Sequence, residues 1–199
     1  MRAVLTLAGL FLLFPAVTSG IEPGRIVGRV IVGAAQRHPV VVFVPGLSGE
    51  ASRTPAERPV MAQRNRVLIP HALPVVAGTT VEFTNGDPFK HNIFSPDGER
   101  YNLGTWEQGH SRTYTFRRPG VYRQLCNIHP EMLAYIIVLD TRAFAMTDGE
   151  GKFEIAGVPA GRHTVRVWGE KLTPAQLART FGVRVEEGAS VSVEIDLLR

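Results

Sequence analysis

One cysteine occurs in 199 residues. An internal disulfide is therefore impossible, and with it the cross-linked framework on which many small exported domains rely. Basic tracts are missing too. The net charge of +4 comes from scattered arginines, among them Arg112, Arg117, Arg118, Arg123, Arg162 and Arg166. No aromatic-interleaved basic motif accompanies them, which argues against nucleic-acid binding and for a solvated basic surface suited to an acidic partner. Long apolar runs are absent except at the N-terminus, where Ala3 to Val17 carries no charge and contains Pro15. Such a run is too short to span a bilayer comfortably. With Arg2 before it and Ser19-Gly20 after it, residues 1–20 read as a secretory signal peptide cleaved near 18–21, a retained anchor being the alternative. A periplasmic or secreted location follows as the expectation, with no stable membrane span once the signal is cleaved.

Glycine and proline are plentiful, 20 and 14 residues respectively, and they punctuate short Val/Ile runs. This is the composition of β structure. Residues 25–44 read as two strands, and 45–58 as a linker or long loop rich in Pro, Gly, Ser and charge. Strand signals then recur at Val67–Pro70, Leu73–Val76, Val81–Thr84, Thr113–Phe116, Val121–Leu125 and Tyr135–Leu139. The last looks buried on both faces. After a turn at Thr147–Gly151, further strands are expected at Lys152–Ile155, His163–Trp168, Val183–Val185 and Val191–Ile195. Thr173-Pro174 opens the one expected helix, with a capping hydroxyl followed by proline at the first helical position. The fold class is all-β.

The single cysteine lies in Cys126-Asn127-Ile128-His129-Pro130-Glu131-Met132. Taken singly, each of the three donors has an ordinary reading: a buried small hydrophobe, a loop histidine, a core methionine. Together they place a thiolate, an imidazole and a thioether within seven positions at the end of a strand. His91, in Lys90-His91-Asn92, supplies a second imidazole 35 residues upstream. Two imidazoles and a thiolate in a trigonal plane with a weak axial thioether form the ligand set of a blue-copper electron-transfer site. Metal binding needs the thiolate, and the backbone N–H of Asn92 is a candidate to restrain the sulfur. His38, His71, His110 and His163 are not spaced with this motif, so surface or packing roles are expected of them. The same is expected of Met61, and Glu131 reads as a solvated loop residue. Asp148 and Glu150 lack the pattern of a calcium loop and read as a turn.

These residues carry a resemblance. Residues 59–140 are similar to a cupredoxin of the plastocyanin/amicyanin type, in Val67–Pro70, Gly78–Phe83, Asp87–Phe94, Pro119–Tyr122 and the short Cys-x2-His-x2-Met loop. The resemblance implies a Greek-key sandwich holding one type 1 copper ion, with His91, Cys126, His129 and Met132 as its metal ligands. It also implies an electron port at His129 with Pro130, Leu133 and Phe89. The flanks, 22–58 and 141–199, resemble a carboxypeptidase-regulatory-like (transthyretin-type) β-sandwich, in Gly28–Val30, Val40–Val44, Thr147–Phe153, Val158–Gly161 and Val165–Trp168. The copper block is then inserted into a discontinuous second sandwich, as in exported proteins labelled methylamine-utilisation proteins.

The implied function is a one-electron carrier or relay serving an acidic redox partner protein, with no small-molecule substrate and no catalysis. No His-x-His pair occurs, and oxygen-reducing multicopper centres need several. Two other readings stay open: a copper carrier or storage module without redox turnover, and a structural interaction module.

Overall fold

The computed structural model of the chain describes residues 22–34, 36, 38–47 and 58–198. The segment 1–20, read as a signal peptide, and most of the polar stretch 45–58 lie outside the described residues. In chain order the elements are β1 (Gly24–Ile31), β2 (Val41–Phe43), β3 (Val60–Arg64), β4 (Val67–Ile69), β5 (Ala72–Val76), β6 (Thr80–Asn85), β7 (His91–Ser95), β8 (Tyr101–Trp106) and β9 (Ser111–Thr115). They continue with β10 (Gly120–Leu125), β11 (Leu133–Leu139), β12 (Phe144–Met146), β13 (Lys152–Val158), β14 (Gly161–Trp168), α1 (Pro174–Leu177), β15 (Phe181–Val185) and β16 (Ser190–Asp196). Among the described residues the fold is all-β apart from α1. That single turn is closed by a capping box, in which the Thr173 hydroxyl accepts the Gln176 N–H and the Gln176 side chain accepts the Thr173 N–H.

Four sheets form two layered bodies. A five-stranded sheet, β5-β11-β10-β7-β8, and a four-stranded sheet, β4-β3-β6-β9, share one core. Met61, Leu68 and Phe83 from the smaller sheet meet Ile93, Tyr122 and Ile136 from the larger. The second body pairs the sheet β13-β1-β16 with β12-β2-β14-β15. Here Ile26, Ile155 and Ile195 pack on Val42, Val165 and Val167. Period-2 alternation decides which side chains enter each core. In β6, for example, Val81, Phe83 and Asn85 are buried while the intervening residues are only half-buried.

Between the strands of the second body β1 is central, and Gly28 is dictated by space. A Cβ there would lie 2.1 Å from the Val193 carbonyl oxygen and 2.9 Å from the Phe153 ring. β3, β8 and β12, like β7, are not among the strands expected from the sequence. β3 carries the polar Gln63 on its buried face, β8 is interrupted by Gly104, and β12 is only three residues long. Each weakens the alternation on which a strand assignment rests.

β11 explains why its sequence reads as buried on both sides. Ala134, Ile136 and Val138 face the core shared with β7 and β10. Ile137 and Leu139 face the other way and pack with Val41 and Ala72, flanked by Phe43, Tyr135, Phe144 and Trp168. The second face is covered by strands of the other body, so the two bodies meet through an apolar seam.

Candidate metal centre

β10 and β11 are an antiparallel pair, and Leu125 is the partner of Leu133. Residues 126–132, the thiol–imidazole–thioether stretch, are therefore the hairpin connection itself. Within it the Met132 N–H donates to the His129 carbonyl at 3.0 Å, which folds the loop back on itself. β7 lies beside β10, joined at Phe94 and Leu125. His91 opens β7, opposite Trp106 of β8. Two sequence-distant donors thus reach one end of the five-stranded sheet.

The structure brings His91, Cys126 and His129 together, their ligand atoms all lying within 4.8 Å of one another. His91 Nδ1 is 3.1 Å from His129 Nδ1, and Cys126 Sγ is 4.0 Å from the same nitrogen. His91 and Cys126 are buried and His129 is half-buried. Met132 is 1% exposed and packs in the same apolar cluster as Cys126. Phe89 sits over the two imidazoles, its ring centroid 5.1 Å from that of His91 and 5.3 Å from that of His129. Glu131 is exposed.

Asp87 determines the state of His91. Its carboxylate accepts His91 Nε2 at 2.7 Å, the Asn65 N–H at 2.6 Å and the Arg66 N–H at 3.0 Å, while its own N–H donates to Asn85 Oδ1 at 2.9 Å. Burial pushes this carboxyl up, but the hydrogen bonds from the Arg66 N–H, His91 and the Asn65 N–H outweigh it and hold the group below the ordinary Asp range. An ionised carboxylate only accepts. In neutral His91, Nε2 therefore carries the proton and Nδ1 keeps a bare lone pair, aimed at His129 and the thiol. A buried lone pair facing a second imidazole and a sulfur is a fit for a soft, imidazole-seeking cation. The carboxylate behind the ring fixes its orientation and tautomer, as the partners of metal-bound histidines do.

In the sequence the only signal for Asp87 is an acidic residue before proline, four positions ahead of a candidate ligand. Asn92 also acts differently from the expectation for its backbone. The recorded contact is its side-chain carbonyl, which accepts the Asn127 N–H at 3.2 Å and so clamps the residue after Cys126. Its amide nitrogen is anchored on Asn102 Oδ1 at 2.8 Å and the Gly104 carbonyl at 2.9 Å. Met61 is fully buried in the core, Asp148 accepts the Glu150 and Lys152 N–H groups of its turn, and His163 is tied to the Pro159 carbonyl.

No protein-family model and no curated protein matches the chain. Among solved structures it is similar to a copper-containing nitrite reductase from Thermus scotoductus SA-01, at 24% identity and a TM-score of 0.41, over 57% of this chain and 28% of that one. It is also similar to amicyanin from Paracoccus versutus, at 26% identity and a TM-score of 0.39, over 49% of this chain and 96% of that one. A purple cupredoxin from Nitrosopumilus maritimus is similar at 27% identity and a TM-score of 0.35, again over 49% and 96%. The chain thus spans under a third of the length of the nitrite reductase. No helix among the described residues is long and apolar enough to cross a membrane.

Proposed function

We propose that His91, Cys126, His129 and Met132 hold one copper ion as a type 1 centre and that the chain is an exported one-electron carrier or relay. The observation that carries this reading is the convergence of two imidazole nitrogens and the lone thiol within 4.8 Å, one nitrogen bared by Asp87. Copper bound there supplies the Cu(I)/Cu(II) couple. The protein's part is to hold the donors so that little has to move between the two oxidation states. Asp87 orients one imidazole. Asn92 ties the thiol-bearing loop to β7 and β8. The hairpin register at Leu125 and Leu133 fixes the distance between the loop's ends.

Four protein donors, His91, Cys126, His129 and Met132, would leave no open position for a substrate on the ion, which supports a carrier over an enzyme. The His129 edge, flanked by Phe89 with 36% of its surface exposed, is the proposed port for an acidic redox partner. Residues 59–140 form the copper domain in this reading, inserted between the halves of the outer sandwich, 22–58 and 141–199. Residues 1–20 direct export. The test is the absorption and EPR spectrum of the copper-reconstituted protein beside that of Cys126→Ser. Intense thiolate-to-copper absorption is expected and should vanish in the variant; a colourless Cu(II) complex, or colour that survives the substitution, refutes the assignment. Reversible voltammetry separates a redox carrier from a copper store, which need not exchange electrons quickly.

A further inference from the structure

Sequence spacing assigns no partners to His38 and His71, yet the fold joins them. His38 lies in the connection between β1 and β2. His71 stands between β4 and β5, and Glu170 follows β14. One ligand atom from each, two ring nitrogens and a carboxylate oxygen, lies within 4.8 Å of the others. His71 Nε2 contacts Glu170 Oε2 at 2.9 Å. The His38 ring stacks on His71 with centroids 3.8 Å apart and planes 19° apart. We propose that His38, His71 and Glu170 form a second metal site, specific for a divalent ion that favours imidazole and carboxylate, Zn²⁺ or Cu²⁺, bridging the two sandwiches.

The donor set is two imidazoles and one carboxylate with no sulfur, which suits Zn²⁺ and Cu²⁺ and leaves room for water in the remaining positions. Around a tetrahedral ion with bonds near 2.1 Å, neighbouring donors stand about 3.4 Å apart. His71 and Glu170 need open by only a fraction of an ångström, with the ion taking the place of the proton between them, which passes to His71 Nδ1 or to water. The surrounding groups are already braced. Lys171 Nζ holds the other Glu170 oxygen, Oε1, at 2.9 Å, leaving Oε2 for the imidazole side. The Tyr135 ring meets His71 edge-on with centroids 5.6 Å apart. Gln36 ties the two outer segments together, donating to the His38 carbonyl at 2.7 Å and accepting the Lys171 N–H at 2.8 Å.

The site is independent of the centre at Cys126, since none of its donors is shared. It also sits beside the apolar seam, where Ala72 packs with Val41. An ion there would cross-link the copper-bearing body to the outer one.

The experiment is calorimetric titration of Zn²⁺ into the untagged full-length Cys126→Ala chain and into the same chain also carrying His38→Ala or Glu170→Gln, with circular dichroism on each protein. The Cys126→Ala background removes the thiolate centre as a competing zinc site. One equivalent of Zn²⁺ is expected to bind Cys126→Ala and to weaken at least tenfold when His38→Ala or Glu170→Gln is added. His38 is in a connection rather than a strand, so its truncation should leave the β signal unchanged. The proposal is overturned if Cys126→Ala takes no equivalent. It is also overturned if the folded double variants bind Zn²⁺ as tightly as Cys126→Ala. Neither outcome bears on the copper colour, which depends on Cys126 and is read separately.

Discussion

Replacing Asp87 by asparagine removes one charge and one acceptor from a position that is 3% exposed. The carboxylate serves three donors: Oδ1 takes the Asn65 N–H, while Oδ2 takes the Arg66 N–H and His91 Nε2. An amide keeps one oxygen. The less costly orientation points that oxygen at Arg66 and His91, which strands the Asn65 N–H against an NH₂ group; the reverse orientation strands two donors. A hydrogen bond to a charged group contributes about 1.5–3 kcal/mol. The two residues held are both in the left-handed region, at φ 54° for Asn65 and 58° for Arg66, a conformation that L side chains resist. Release from burying the charge returns part of the loss, so Asp87→Asn should destabilise the metal-free protein by about 2 kcal/mol.

Urea unfolding is the assay, followed by the fluorescence of Trp106, which is buried opposite His91, rather than by Trp168 at the seam. With a slope near 2 kcal/mol per molar, the Trp106 midpoint should fall by about 1 M. Copper affinity should fall with it, by roughly 10- to 100-fold, because the imidazole loses the partner that orients it and fixes its tautomer. An unchanged midpoint and unchanged affinity would refute the reasoning, since they would mean that the carboxylate neither pins the turn nor sets the tautomer of His91.

Three further outcomes are expected. Asn92→Ala removes the acceptor of the Asn127 N–H and should weaken copper binding about tenfold, measured by competition with a chelator, while the thiolate-to-copper absorption remains. Ile137→Ala, at a position 2% exposed in the seam, should cost about 2–4 kcal/mol by urea unfolding, with the Trp168 signal affected more than that of Trp106. Asp97 is paired with Arg123 through Nη2 at 2.7 Å and Nε at 2.9 Å, and these hydrogen bonds hold its carboxyl below the usual range despite partial burial. Its contribution is therefore complete above the unfolded pKa near 3.9 and is lost as the pH falls through the lower folded value. With Arg123 half exposed, solvent screening keeps it to about 1 kcal/mol, and Asp97→Asn should remove that acid-labile part from stability measured between about pH 6 and 2.

Much of the candidate centre was legible because it is local. Cys126, His129 and Met132 lie within seven residues of one loop, and strand pairing at Leu125 and Leu133 leaves them no choice but to share one end of a hairpin. The alternation in Val81–Thr84 and the cap at Thr173 are equally local, and both appear as read. His91 was accessible through its chemistry. Asp87 was not, because a turn aspartate before proline looks the same whether its carboxylate faces water or a ligand. β3, β8 and β12 escaped notice because a buried glutamine, an interior glycine and a three-residue length blur the period of two.

The all-β class, the donor loop and the apolar character of β11 follow from the order of residues alone. These depend on which residues neighbour each other along the chain and on which face alternate residues take. What lies across a gap is set by the fold. It set His91 Nδ1 against His129, and it placed the Asp87 carboxylate behind His91. It also covered the second face of β11 with Val41 and Ala72, and it gathered His38, His71 and Glu170 from three distant segments. Such adjacency is produced by sheet order and by the packing of one sandwich on the other. Neither leaves a period or a spacing in the chain from which it could be read.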